Sequence, residues 1–318
     1  MRAAVCHDLT ADRSGLRIHE DWPEPPPPGA GEVMVEISAA ALNFPDLLML
    51  SGGYQFRPDL PFVAGTEGCG RVVAAGDGVG LSVGARVIVS ARGGLFAERA
   101  TVPATSVRAV PAGLDDPEAA SFTVGALTAW VGLVDRGRLG AGEHVLVTGA
   151  GGGMGLAAVK LAVQRGAEVT AVASQPDRLE AAVAAGAHRA ILITREAPVI
   201  AAHDVDLVFD PVGGSLTLPA LKSLRRGGRY AIIGFAGGHA PSLPLNLPLL
   251  GEIEVIGVRA GEQGRQDPAA GANAIRMIDA LAAETRPVIG LSVPLAEAAE
   301  AYAAMAEARL IGKAVIRP

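Results

Sequence analysis

The sequence predicts an α/β protein in which a mostly-β region precedes a doubly wound parallel sheet. Three observations carry that expectation. Short β-branched runs bounded by glycine occupy the first third of the chain. Strand and helix patterns then alternate from about residue 121. One of those strands enters a turn of small residues, Val145-Leu-Val-Thr-Gly-Ala-Gly-Gly-Gly-Met-Gly-Leu156. With 318 residues, the chain has room for two hydrophobic cores.

In the first region, the prolines Pro25 to Pro28 form an extended connector, and Val33-Met-Val-Glu-Ile-Ser38 then alternates as a half-buried strand does. Gly70 to Ala75 and Arg86 to Ser90 add further strands of a barrel-like fold. In the second region strands are expected at His144–Thr148, Glu168–Ala173, Ala190–Ile193, Val205–Phe209, Arg229–Ile233 and Glu254–Val258. Helical stretches lie between most of them, at Leu156–Gln164, Arg178–Ala185 and Leu216–Leu224, as parallel crossovers require. The tail holds helices around 269–284 and 296–308 and a last strand at Lys313–Arg317. It is too short to fold alone and is expected to complete the first domain. The predicted domains are 1–121 completed by 262–318, and 122–261.

The bulk numbers exclude several functions. Net charge is −6, which gives no electrostatic case for nucleic-acid binding. No apolar run approaches the roughly 20 residues of a membrane span, and the N-terminus lacks the apolar stretch of a signal peptide. Cys6 and Cys69 are the only cysteines, too few for a zinc cage, and read as small buried residues in a reducing cytoplasm. The histidines form no catalytic constellation, and there is no Gly-x-Ser-x-Gly elbow.

The small-residue turn carries the chemistry. Strand, glycine turn and helix in this order lay a dinucleotide pyrophosphate on a helix N-terminus. Within Ala150-x-Gly152-x-x-Gly155, Gly152 admits the backbone to the pyrophosphate and Gly155 lets helix and strand pack. The next strand ends in Ser174-Gln-Pro-Asp-Arg178. NAD sites carry an acid at that strand end, on the ribose 2′-hydroxyl. A hydroxyl and an arginine suit a 2′-phosphate instead, so the expected cofactor is NADPH.

From end to end the chain resembles the zinc-independent quinone oxidoreductase branch of the medium-chain dehydrogenase/reductase superfamily. The resemblance is carried by Ala41-Leu-Asn43-Phe-Pro-Asp46, Pro61-Phe-Val-Ala-Gly65-Thr66-Glu67-Gly68, Thr128-Ala-Trp130, the glycine turn, Asp210-Pro-Val-Gly-Gly214 and Gly312-Lys-Ala-Val315. It implies a GroES-like mostly-β catalytic domain and a Rossmann cofactor domain, with the substrate cleft between them. It also implies a homodimer paired through the strand at 254–258. Zinc-dependent relatives carry cysteine and histidine near Phe44 and Thr66, which cannot bind zinc, and Glu67 alone is not a site. The implied reaction is hydride transfer to a small-molecule quinone or similar conjugated carbonyl.

By matched position the resemblance implies a catalytic set of Asn43, Tyr54 and Asp46. Asn43 would lie near the nicotinamide, Tyr54 would donate toward the substrate or anchor its loop, and Asp46 would orient either one. Relatives often carry a second tyrosine where Leu48 stands. Implied cofactor contacts are Thr128 at the nicotinamide, Gly152, Gly153 and Met154 at the pyrophosphate, and Ser174 and Arg178 at the adenosine phosphate. Thr194 would lie by the adenine. Val212, Gly234, Phe235, Ala236, Val258, Arg259 and Ala260 would line the nicotinamide side. Arg309, or else Lys313, would close over the phosphates from the tail, although Lys313 also reads as a solvated strand-end charge. Two alternatives stay open. One is an enoyl-thioester reductase, with Arg57, Arg92 and Arg259 at the cleft mouth, and the other is a non-catalytic NADPH-binding protein.

Overall fold

The computed structural model describes residues 1–194 and 196–318. The chain divides into two compact units, Met1–Val124 with Ile289–Pro318, and Gly125–Val288.

The first unit opens with β1 (Ala3–Cys6), β2 (Leu16–His19) and β3 (Glu32–Leu42), followed by α1 (Phe44–Leu50). It continues through β4 (Phe62–Val63), β5 (Glu67–Ala75), β6 (Arg86–Ser90), β7 (Arg99–Pro103) and β8 (Val107–Ala109) to α2 (Asp116–Trp130), within which the unit boundary falls. The alternation expected at Val33–Ser38 is present in β3, where Val33, Val35 and Ile37 turn inward. The strands at 70–75 and 86–90 are β5 and β6. Neither α1 nor α2 shows in the apolar pattern, because α1 is only seven residues long and small residues blur the helical stripe of α2. The start of α2 is nevertheless written in the sequence as a reciprocal cap. Glu118 N–H donates to Asp115 Oδ1 at 2.8 Å, and Asp115 N–H donates to Glu118 Oε2 at 3.0 Å.

The second unit is built from β9 (His144–Thr148), α3 (Gly153–Gln164), β10 (Glu168–Ala173), α4 (Pro176–Ala184) and β11 (Arg189–Leu192). It goes on with β12 (Val205–Asp210), α5 (Thr217–Lys222), β13 (Leu224–Ile232), α6 (Asn246–Gly251) and β14 (Glu254–Gly257), and ends with α7 (Ala260–Gln266) and α8 (Pro268–Ala280). Its six strands are all parallel in the order β11-β10-β9-β12-β13-β14. Every residue of β9 is buried, as expected for a strand covered by helices on both faces. The doubly wound sheet read from the sequence is thus present, with strand order reversing between β9 and β12.

Residues 262–288 cluster with this second unit, so the return to the first begins at Ile289 rather than at 262. Local contacts account for it. Gln263 Nε2 donates to Asp135 Oδ2 at 3.2 Å, Lys160 Nζ donates to the Arg286 carbonyl at 2.6 Å, and Ala274 and Ile278 of α8 are buried.

The tail then adds β15 (Ile289–Pro294), α9 (Ala298–Ala306) and β16 (Lys313–Arg317). β16 sits between β15 and β3 in a sheet of order β15-β16-β3-β5-β6-β8, with β7 also paired to β3. The core of the first unit therefore joins residues such as Val35, Val89 and Phe96 to Tyr302 and Ile316. Among the described residues, no helix is long and apolar enough to cross a membrane.

Candidate active site

In the first unit, five polar side chains meet in the interior. Asn43 lies between the end of β3 and the start of α1, and Asp46 lies in the first turn of that helix. Glu67 opens β5, Thr66 precedes it, and Lys313 opens β16. Asp46 Oδ2 accepts the Asn43 backbone N–H at 2.7 Å and Oδ1 accepts the Thr66 hydroxyl at 3.0 Å. The acid thus caps its helix and holds Asn43 by the backbone. Asn43 Nδ2 donates to Glu67 Oε2 at 3.0 Å. Lys313 Nζ donates to Asn43 Oδ1 at 2.5 Å and lies 3.5 Å from Glu67 Oε2. The other oxygen of Glu67 accepts the Val124 N–H of α2 at 2.8 Å.

All of these groups except the half-buried Thr66 are buried, with Glu67 at 0 % exposure. Burying charge is costly unless it is paired and hydrogen-bonded; Lys313 and Glu67 are both, whereas Asp46 is held by the neutral donors Asn43 N–H and Thr66 hydroxyl. The consequence shows at Asp46. Burial pushes its carboxyl from 3.8 up to about 7, against the lowering pull of the Asn43 N–H, the Thr66 hydroxyl and the Lys313 ammonium.

The second unit gathers its candidate residues by topology. Gly152 is the N-cap of α3, so Gly152, Gly153 and Met154 fall at the cap and first turn, where helix N–H groups lack intrahelical acceptors. Ser174 follows β10, Thr194 follows β11, Val212 follows β12, Gly234–Ala236 follow β13, and Val258–Ala260 follow β14. Because all six strands are parallel, every one of these segments lies at the same edge of the sheet. The glycine turn is at the reversal of strand order, where open sheets of this kind take their ligands.

Two glycines of the turn are sterically required. A Cβ on Gly155 would come within 2.2 Å of the Gly149 carbonyl oxygen, and one on Gly151 within 2.4 Å of Arg178 Cβ. Arg178 therefore lies directly against the glycine turn. Beside it, the buried Asp210 carboxylate ties β12 to its neighbours. Oδ1 accepts the N–H groups of Val212 and Gly213, both at 2.9 Å, and the Thr148 hydroxyl, while Oδ2 accepts the Tyr230 hydroxyl. Burial and this carboxylate together raise the Tyr230 hydroxyl well above its ordinary value.

Of the sequence-predicted residues, Asn43 and Asp46 are brought together, while Tyr54 lies half-buried in the loop between α1 and β4. Thr128 is half-buried on α2. The Arg309 guanidinium is exposed and shared between Glu300 and Glu307, whereas Lys313 is buried against Asn43 and Glu67, which overturns its reading as a solvated charge. Asp210 was missed as a hub. The only signal was its place at a strand end before Pro-Val-Gly-Gly. Among the described residues, no three His, Cys, Asp or Glu side chains group so as to hold a metal ion.

Comparison with known proteins places these features in a family. Residues 29–112 match the alcohol dehydrogenase GroES-like domain, and residues 153–279 match the zinc-binding dehydrogenase domain. The chain is 34% identical over 276 residues to a quinone oxidoreductase-like protein 2 homolog of Nematostella vectensis, a match covering 84% of this chain and 74% of that one. It is 33% identical over 302 residues to part of a mycocerosic acid synthase-like polyketide synthase of Mycobacterium tuberculosis, covering 91% of this chain and 14% of the synthase. Among solved structures, the quinone oxidoreductase of Thermus thermophilus, determined also in complex with NADPH, superposes with a TM-score of 0.83 at 32% identity, covering 100% of both chains.

Proposed function

This chain belongs to the quinone oxidoreductase branch of the medium-chain dehydrogenase/reductase superfamily, and on that premise we propose that it reduces a quinone or similar conjugated carbonyl with NADPH. One observation carries the cofactor choice. At the end of β10 stands Ser174 rather than an acid, and Arg178 packs against Gly151 of the pyrophosphate turn. An acid there would accept a ribose hydroxyl, whereas a guanidinium recognises a phosphate in bidentate fashion.

When bound, the dinucleotide supplies the hydride. The chain's own residues hold and orient it. The N-terminal turn of α3 carries the pyrophosphate, and Ser174 and Arg178 carry the 2′-phosphate. Val212, held through its N–H by Asp210, lines the nicotinamide end with the segments after β13 and β14. In the first unit Asn43 is the candidate donor to charge developing on the acceptor oxygen, and Tyr54 is the candidate proton source. Zinc does not fit this donor set. Phe44 and Thr66 supply no ligand, and the Glu67 carboxylate is already taken by Lys313, Asn43 and Val124. An electron-poor acceptor suits a site that polarises by hydrogen bonds alone.

NADPH consumption with naphthoquinones, benzoquinones, enones and crotonyl-CoA tests the reading. Turnover of quinones with little of the thioester is expected. Preference for crotonyl-CoA would instead favour an enoyl-thioester reductase, a reading the match to a polyketide synthase segment supports. Arg178→Ala should weaken NADPH binding far more than NADH binding, and equal weakening would remove the phosphate assignment. A homodimer through β14 is proposed from the exposed Val255 of that edge strand and the exposed Leu245, Leu249 and Leu250 in and beside α6. A monomer mass in light scattering would overturn it.

A further inference from the structure

We propose that Lys313 is a positioning residue that acts through Asn43, and the proposal rests on the reading that Asn43 faces the reacting pair. An asparagine amide presents an acceptor and a donor of nearly the same shape, so its orientation needs a reason. Its neighbours supply one here. An ammonium only donates, and Lys313 Nζ lies 2.5 Å from Asn43 Oδ1. A carboxylate only accepts, and Glu67 Oε2 lies 3.0 Å from Asn43 Nδ2. The amide is clamped along its own dipole between a cation and an anion.

Such a clamp polarises the amide. Charge drawn toward Oδ1 by the ammonium leaves the N–H groups stronger donors, and the effect is large in a dry interior. One N–H is committed to Glu67. The other has the Ala41 carbonyl at 3.5 Å, the outer limit of a hydrogen bond, so it remains able to donate to a developing negative charge.

The geometry distinguishes this role from plain charge neutralisation. A lysine serving only as counter-ion to Glu67 would make its shortest contact with the carboxylate. Lys313 instead sits 1 Å closer to the amide oxygen, at 2.5 Å against 3.5 Å. The carboxylate is held by Asn43 and by the Val124 N–H as well, so its charge is dispersed over three donors.

The test compares Lys313→Met, the double variant Lys313→Met with Glu67→Gln, Asn43→Ala, and Asn43→Ala with both Lys313→Met and Glu67→Gln, in the full chain. Readouts are kcat, KM for the quinone, NADPH affinity by fluorescence, and Tm of the cofactor-free protein. Lys313→Met alone should lower Tm, because it leaves Glu67 buried without a cation. The neutral double variant should regain Tm and NADPH affinity while its kcat stays down on the order of 10- to 100-fold. Adding the neutral pair Lys313→Met and Glu67→Gln to Asn43→Ala should lower kcat no further. Recovery of kcat together with Tm in the double variant would make Lys313 purely structural and overturn the proposal. So would a full additional loss in the Asn43→Ala background. Wild-type turnover by Asn43→Ala would overturn the reading of Asn43 itself, and the proposal with it. Impaired Asn43→Ala beside an active double variant would sink the proposal alone.

Discussion

Glu67 and Asp210 are both buried carboxylates at strand ends, one in each unit, and they are made tolerable in opposite ways. Asp210 is solvated by neutral dipoles: two backbone N–H groups and two hydroxyls, all from strands of its own sheet or the turn that follows it. Glu67 keeps company with an ammonium, an amide and one helix N–H, drawn from segments as far apart as Lys313 and Asn43. Local dipoles suffice where the carboxylate only shapes a loop. A buried cation is present where, on our proposal, an amide must be oriented and polarised.

The comparison breaks hardest at Glu67. Glu67→Ala strands the Lys313 ammonium and should cost about 3–5 kcal/mol in chemical denaturation. Each unit holds one tryptophan, Trp22 in the first and Trp130 in the second, so Trp130→Phe lets Trp22 report on the first unit alone. The next effect is one of pH. The Asp46 carboxyl stays protonated in the folded chain up to about 7, while the unfolded chain ionises it near 3.8. The folded state therefore holds the extra proton between those values, and its stability should fall as pH rises through that window. Asp46→Asn should flatten this slope, and an unchanged slope would refute the assignment.

A smaller loss follows from Asp210→Asn, about 1–3 kcal/mol, since an amide keeps acceptors for the loop N–H groups but turns a donor toward the Tyr230 or Thr148 hydroxyl. Equal costs for Asp210→Asn and Glu67→Ala would erase the distinction between the two hubs. The smallest effect should come from His144, whose imidazole is lowered by burial and whose ring lies 2.8 Å from the Thr170 hydroxyl. The unfolded chain takes up that proton first, so stability should fall as pH drops below about 6.5. This is the reverse of the Asp46 slope, and His144→Gln should remove it.

What was legible in the sequence follows the same division between local and distant. β6, β9, β10 and β16 were readable to the residue because valine and isoleucine runs end sharply at glycine or polar residues. The glycine turn was readable because strand, turn and helix are contiguous. α2 was obscured by its small residues, although the Asp115–Glu118 cap marks its start. The expected boundary after residue 261 cuts through α7 and gives α8 to the first domain, because nothing in the alanine-rich pattern of α8 says which sheet it follows. The Lys313–Glu67 pair could not be read at all, since its partners are separated by 246 positions and neither belongs to a periodic pattern.

The place of β16 in the middle of a sheet, between β15 and β3, sets an order of events during synthesis. The second unit is one continuous stretch, Gly125–Val288, and has all its strands before β15 is made. The first unit is interrupted, and its polar centre lacks its lysine until translation reaches residue 313. A chain truncated after residue 288 should thus carry a folded second unit beside a first unit still open to protease, with Asn43 and Glu67 lacking their lysine partner.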